Sequence, residues 1–119
     1  IETGSKTKEQ IADDSTSWGN YNNATFEYVN SSGSTVTKNE NSGTKIPTGN
    51  TEYTKANNIY DLAGNVYDWT MEAYSTYNRV CRGGYYYNDG DYNPADYRNY
   101  SYPTDSVNGY GCRSALYIK

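Results

Sequence analysis

The sequence predicts an α+β fold built from short antiparallel strands, one or two short helices and long ordered loops. Three observations predict it. Several short segments alternate apolar and polar residues, as half-buried strands do. Turn residues (Gly, Asn, Ser and Pro) separate those segments. Finally, Ile, Leu, Val, Met, Phe and Trp together number 16 in 119 residues, and Tyr alone also numbers 16. A chain so poor in aliphatic residues can be disordered, but a net charge of only -4 and an aromatic content of 16% argue for a packed domain. Tyrosine must then build much of the core, each ring burying its face while its hydroxyl finds a partner. The length is that of one domain.

In chain order, Ser5 to Asp13 reads as a short helix, with Ser5 as its N-cap and Ile11 and Ala12 as a small apolar patch. Ala24 to Val29 alternates as a strand, Asn30 to Ser34 is a turn, and Thr35 to Lys38 is the return strand. Asn39 to Gly49 is polar and reads as an exposed loop broken by Pro47. Asn58 to Trp69 is the segment densest in ordered-structure cues. Further strands are expected at 66–74, 79–82 and 112–118. Between the last two lies a stretch of different composition. In residues 85–110, Tyr, Asn, Asp and Ser make up 18 of 26 residues, against 32 of the other 93. The window contains no Lys, Glu, Ile or Leu. A segment of this length without regular structure signals function or disorder. Its few glycines and many aromatics favour an ordered surface.

Composition removes several function classes. No stretch approaches the roughly 20 apolar residues of a membrane span. Ile1 is not a Met and no signal-peptide pattern follows it, so the expectation is a processed product or the C-terminal part of a longer protein. An isoelectric point near 4.6 provides no electrostatic footprint for nucleic acid. The sequence has no histidine, which removes His general bases, His metal ligands and Ser/His/Asp triads together. Cys81 and Cys112 are too few for a four-thiolate zinc site. No cofactor is expected.

Lysines fall at 6, 8, 38, 45, 55 and 119, and arginines at 79, 82, 98 and 113. Lysine suits solvated surface, whereas arginine suits fixed, multiply bonded positions. Arg82, Arg98 and Arg113 are therefore expected to be structural forks on carboxylates and loop carbonyls; four ordinary surface arginines are the alternative.

Three blocks carry a resemblance: Asn58-Ile59-Tyr60-Asp61-Leu62-Ala63-Gly64-Asn65-Val66-Tyr67-Asp68-Trp69, then Arg79-Val80-Cys81-Arg82-Gly83-Gly84, then Gly111-Cys112-Arg113. In this order they resemble the formylglycine-generating-enzyme-like branch of the C-type lectin fold. The match covers residues 58–119 well, while Ser17-Trp18-Gly19 and Ile46-Pro47-Thr48-Gly49 fit loosely. Cys112 stands where the family usually has an aromatic. The blocks read as scaffold. Gly64-Asn65 makes a turn with unusual dihedrals. Trp69 is expected to fill the core, Asp68 to pair with an arginine such as Arg82, and Gly83-Gly84 to permit close backbone approach. The resemblance also sets Cys81 and Cys112 on neighbouring strands. A disulfide and two free thiols both remain open there. The enzymes of this family use a cysteine pair after R-G-G, and Tyr85 to Asn93 contains none. Calcium-binding lectin triplets are missing too. Asp89, Asp91, Asp96 and Asp105 suit a hard cation only weakly and read as solvated loop carboxylates.

Tyr, Ser, Asn and Asp with scattered Gly form the composition of a recognition surface. The candidate ligand-binding residues are Tyr85, Tyr87, Asn88, Asp89, Asp91, Tyr92, Asn93, Asp96, Tyr97, Asn99, Tyr100, Tyr102, Asp105 and Asn108, with Tyr86 and Tyr110 as core candidates. Residues 85–110 also resemble the variable region in proteins of diversity-generating retroelements, where adenine-directed mutagenesis scatters Asn codons into Tyr, Asp and Ser. Drift in an AT-rich genome is the competing account. The resemblance implies a phage virion or a bacterial cell surface as the setting. The window's charge, one arginine against four aspartates, and its tyrosines suit a protein or glycan on a target surface as the partner, with no nucleic acid and no membrane insertion, and the resemblance allows a homo-oligomer. A non-diversified accessory module of a surface or fibre assembly is the alternative, and a formylglycine-generating-type oxidase is a further one.

Overall fold

The computed structural model describes residues 5–114. Helix α1 (Lys8–Ala12) opens it. The Thr7 hydroxyl accepts the Gln10 N–H at 3.2 Å, and the Gln10 side chain accepts the Thr7 N–H at 3.0 Å. This reciprocal cap requires a hydroxyl three residues before Gln10, which only Thr7 supplies. The cap is therefore Thr7 and not Ser5, whose hydroxyl instead donates to Asn57 Oδ1 at 2.9 Å.

Strands β1 (Phe26–Val29) and β2 (Thr35–Lys38) form the expected hairpin, with Phe26 opposite Lys38. Asn30 Oδ1 accepts the N–H groups of Ser32 and Ser34, each at 3.0 Å, which closes the turn. Two expectations about this region are corrected. Lys38 is buried, not solvated: its Nζ donates to the carbonyl oxygens of Asn22, Ala24 and Asn39 at 3.3, 2.8 and 3.3 Å. Those three acceptors replace water, and burial still pushes its ammonium below the ordinary lysine value. The 39–49 loop is not wholly exposed either, because Ile46 is buried in the core. That core joins Ile46 to Trp18, Tyr21, Ala24 and Phe26, with Phe26 stacked on Tyr53 at 4.6 Å.

Strands β3 (Lys55–Ala56) and β4 (Ile59–Tyr60) pair antiparallel through Asn57 and Asn58. Both asparagines have positive φ (49° and 64°), as a two-residue hairpin of matching twist requires. Then come β5 (Tyr67–Ala73), β6 (Arg79–Arg82), β7 (Arg98–Ser101) and β8 (Tyr110–Gly111). They form one sheet in the order β7-β6-β5-β8, antiparallel except for the parallel β5–β8 pair. Among the described residues no helix is long and apolar enough to cross a membrane.

Four further expectations change here. The 85–110 window contains a strand, β7, because Arg98 to Ser101 finds a partner edge on β6. The strand expected at 112–118 is not seen over 112–114, and 115–118 lie outside the described residues. The Tyr67 N–H already bonds the Gly109 carbonyl at 2.7 Å, which fixes the pairing earlier, at Tyr110–Gly111. Trp69 is only half-buried, its ring packed on Tyr110 at 5.1 Å, and Trp18 is the tryptophan that fills the core. Finally, Cys81 on β6 and Cys112 after β8 are not on neighbouring strands, since β5 runs between them. Two strand spacings are roughly 9–10 Å, beyond the reach of a disulfide, and both thiols are free.

The frame that carries the window is a buried polar hub. Gly64 and Asn65 both have positive φ (69° and 62°). A side chain at Gly64 would meet the Asn20 backbone. The Asn65 side chain accepts from the Asn20 amide and the Ile46 N–H, both at 3.0 Å, and donates to the Ile46 carbonyl at 2.9 Å. Its backbone carbonyl accepts the Tyr86 N–H at 3.0 Å, so the hub continues directly into the window.

Candidate functional site

The first half of the window is sewn onto residues 11–23. The Asn88 carbonyl accepts the Asn22 N–H at 2.7 Å, and the Gly90 carbonyl accepts the Ser15 N–H at 3.0 Å. The Gly90 N–H donates to Asn23 Oδ1 at 3.0 Å, and the Ala95 N–H donates to the buried Ser15 hydroxyl at 2.8 Å. The Asp96 N–H reaches the Ile11 carbonyl at 3.2 Å. These bonds order a loop that has almost no regular structure of its own.

Between this loop and β8 lies a depression of about 610 Å³. Its floor is Tyr67, buried on β5, with Tyr85 stacked against it at 5.5 Å and Tyr110 tilted beside it at 5.6 Å. Burial pushes the Tyr67 phenol far above the usual tyrosine value, an effect that a hydrogen bond with Asn99 opposes. Tyr87 packs on Tyr86 at 4.7 Å and forms one rim. Asn88, Asn93, Tyr97, Asn99 and Asn108 complete the lining together with Val107 and Gly109. The Asn88 side chain is partly committed, since its Oδ1 accepts the Tyr85 N–H at 3.0 Å.

Seven of the fourteen sequence-derived candidates thus meet in one cleft: Tyr85, Tyr87, Asn88, Asn93, Tyr97, Asn99 and Asn108. The other seven do not line it. Tyr92 projects from the loop. Tyr100 stacks on Tyr74 at 3.9 Å, with the Arg98 guanidinium 5.3 Å from the Tyr74 ring. Tyr102 is exposed after β7. The aspartates are spread apart. Asp89 accepts from Asn22 at 3.4 Å, Asp91 from Asn23 at 3.3 Å, and Asp105 from the Ser101 hydroxyl. Asp96 lies beside Arg82 in a separate apolar groove of about 380 Å³, lined also by Ile11, Ile59 and Leu62. Among the described residues no three His, Cys, Asp or Glu side chains gather as a metal site would need. Of the two core candidates, Tyr86 is buried and Tyr110 is half-buried at the cleft wall.

Sequence reasoning missed three lining residues: Val107 and Gly109 inside the window, and Tyr67 outside it. For Tyr67 alone a signal existed: positions i and i+2 of a strand share a face, so Tyr67 and Trp69 must lie together, and both rings meet Tyr110.

The arginines brace the ends of the sheet. Arg82 and Arg98 both pair with Glu72, at 3.1 and 2.9 Å, and Arg82 also donates to the Asp96 carbonyl at 2.6 Å. The Arg82 hydrogen bond, with Arg98 beside it, holds the Glu72 carboxyl below its usual value. Asp68 lies opposite Arg82 in register but pairs with Arg113, whose Nε donates to it at 2.8 Å. The parallel β5–β8 pairing sets Gly111 opposite Asp68 and so delivers Arg113, two residues on, to that carboxylate. Arg113 also donates to the carbonyls of Tyr60 (2.7 Å) and Asp61. Gly83 and Gly84 have φ of 97° and 70°; a Cβ there would stand 2.8 Å from the Leu62 carbonyl oxygen and 2.7 Å from that of Asn93. Burial pushes the Cys81 thiol up to about 11, which leaves it almost fully protonated at neutral pH.

No curated protein and no solved structure matches the chain significantly. Residues 3–118 match the family model of the sulfatase-modifying factor enzyme 1-like domain, which spans nearly the whole chain, with the Gly64-Asn65 hub and the arginine braces inside it. The chain belongs to the sulfatase-modifying factor enzyme 1-like family.

Proposed function

We propose that this chain is a ligand-binding module of C-type lectin fold in which residues 85–110 form a diversified recognition face. On this reading it is the variable protein of a diversity-generating retroelement, displayed on a phage virion or a bacterial surface and directed at a protein or glycan of a target surface. One observation carries the proposal. The five tyrosines from Tyr87 to Tyr102 are all exposed, at 59% (Tyr87), 76% (Tyr92), 36% (Tyr97), 48% (Tyr100) and 55% (Tyr102). Burying such rings is favourable, so a run of them left in water on an ordered loop and on β7 is a contact surface awaiting a partner. The frame supports diversification, because the ties to residues 11–23 run largely through main-chain groups, which survive side-chain replacement.

The reading is non-catalytic. Its support is the separation of the two thiols by β5 and the high value of the buried one, since dithiol chemistry needs a close pair with an accessible thiolate. Population sequencing of the gene and its neighbourhood tests the proposal. The expected result is variation confined to adenine positions within codons 85–110, beside a near-identical template copy. A uniform gene with no template copy would replace it with a non-diversified accessory module. Copper-dependent turnover of a cysteine peptide would replace it with an oxidase.

A further inference from the structure

The recognition reading leaves the ligand class open, and the following inference rests on that reading. Charge separates the tyrosine cleft from four other depressions formed by the described residues. Its twelve lining residues are Tyr, Asn, Val and Gly alone. Each of the other four depressions contains at least one charged residue: Arg82 in the apolar groove, Arg113 near Asp61 and Asp68, Lys45 beside Ile46, and Arg79 beside Trp69. The window itself carries one arginine and four aspartates, yet none of the five lines the cleft.

We propose that the cleft between Tyr87 and Asn108 holds a neutral oligosaccharide. Its volume, about 610 Å³, falls in the range of small-ligand sites and not of the broad, shallow patches on which folded proteins meet. Sugar rings present C–H faces that pack on phenol rings, and Tyr85 and Tyr87, inclined at 69° to each other, offer such rings with the exposed Tyr97 in the same lining. Sugar hydroxyls both donate and accept, and the carboxamides of Asn93 and Asn108 do the same. An ionised ligand, whether a sialylated or sulfated glycan or a charged peptide side chain, would lose hydration on entry and meet no countercharge in the lining.

Saturation-transfer NMR and calorimetric titration of the 119-residue chain test this. The probes are neutral oligosaccharides of glucose, galactose, mannose and N-acetylglucosamine, each beside a sialylated or sulfated counterpart. At least one neutral saccharide should bind, with its acidic counterpart weaker by about tenfold or more. Tyr87→Ala should weaken binding by about tenfold. Asn108→Ala, at an exposed rim position where folding is not at stake, should do the same. Tyr77→Ala, in the exposed β5–β6 turn, should leave affinity unchanged. The proposal is overturned by preference for acidic saccharides, by saccharide binding that survives both cleft variants, or by no neutral saccharide binding at all, including the case of a chain that takes only a protein ligand. Any of these outcomes beside a diversified, template-linked window sinks the saccharide assignment alone. A uniform gene without a template sinks the recognition reading.

Discussion

The Gly64-Asn65 hub and the tyrosine cleft are neighbours, linked by the hydrogen bond from the Tyr86 N–H to the Asn65 carbonyl, yet they use the same residue types in opposite ways. In the hub, asparagine is consumed. The Asn65 side chain makes three hydrogen bonds to Asn20 and Ile46 and is buried. In the cleft, Asn108 is exposed at the rim and Tyr87 leaves more than half its surface in water. Tyrosine divides the same way: the Tyr21 hydroxyl donates to the Gly83 carbonyl at 2.8 Å inside the core, while Tyr92 projects outward. A polar group that satisfies a buried partner is a structural part, and one facing solvent is free to serve a ligand. The two regions should therefore differ sharply in what a substitution does.

The largest effect should follow Gly64→Ala. It forces a side chain into left-handed backbone and into the Asn20 main chain, at a cost of about 4 kcal/mol. Asn65→Ala should cost about 3 kcal/mol by orphaning the buried groups of Ile46 and Asn20. Urea unfolding measures both, and a loss below about 1 kcal/mol for either would break the contrast between hub and cleft.

Arg113→Met should come next. It strands the partly buried Asp68 carboxylate and frees two carbonyls, for about 1–2 kcal/mol after allowance for partial exposure. Equal unfolding midpoints for variant and parent would show that the brace contributes nothing.

A pH effect should be smaller and has a definite sign. Burial raises the Asp61 carboxyl above its ordinary 3.8, so the folded state holds that proton more tightly than the unfolded chain does. Its contribution to stability is fully present below about pH 3.8 and is lost as pH rises through the folded value. Asp61→Asn retains a side chain that tolerates the positive φ of 55° and has no ionisation. The melting temperature of the variant minus that of the parent should therefore grow more positive as pH rises from 3.8 toward neutrality. A constant difference across that range would refute the assignment.

The smallest effect on stability should come from the face. Tyr92→Ala should change unfolding free energy by no more than about 0.5 kcal/mol while weakening target binding. A large drop in melting temperature would place the ring in the structure and take it out of the contact surface.

Local chemistry alone made much of the frame legible. The β1–β2 hairpin follows from alternation around the Asn30 to Ser34 turn, β6 falls on Arg79–Arg82 as read, and the residue types also signalled the unusual dihedrals at Gly64-Asn65 and the close backbone approach at Gly83-Gly84. The composition of 85–110 pointed to the cleft region, though only half of its candidates line the cavity. What stayed hidden depends on which strand lies beside which. The intervening β5 separates Cys81 from Cys112. The parallel pairing of Tyr110–Gly111 hands Asp68 to Arg113 and not to Arg82, and the same pairing sets Tyr110 against Tyr67 to make the cleft wall. The burial of Lys38 depended on three carbonyls that converge from separate positions in the chain. Residue type constrains the dihedrals and hydrogen-bonding capacity of each position, and those can be read one residue at a time. Neighbourhood across strands arises from pairings distant in sequence, whose stability depends on the whole sheet, and only the folded chain decides them.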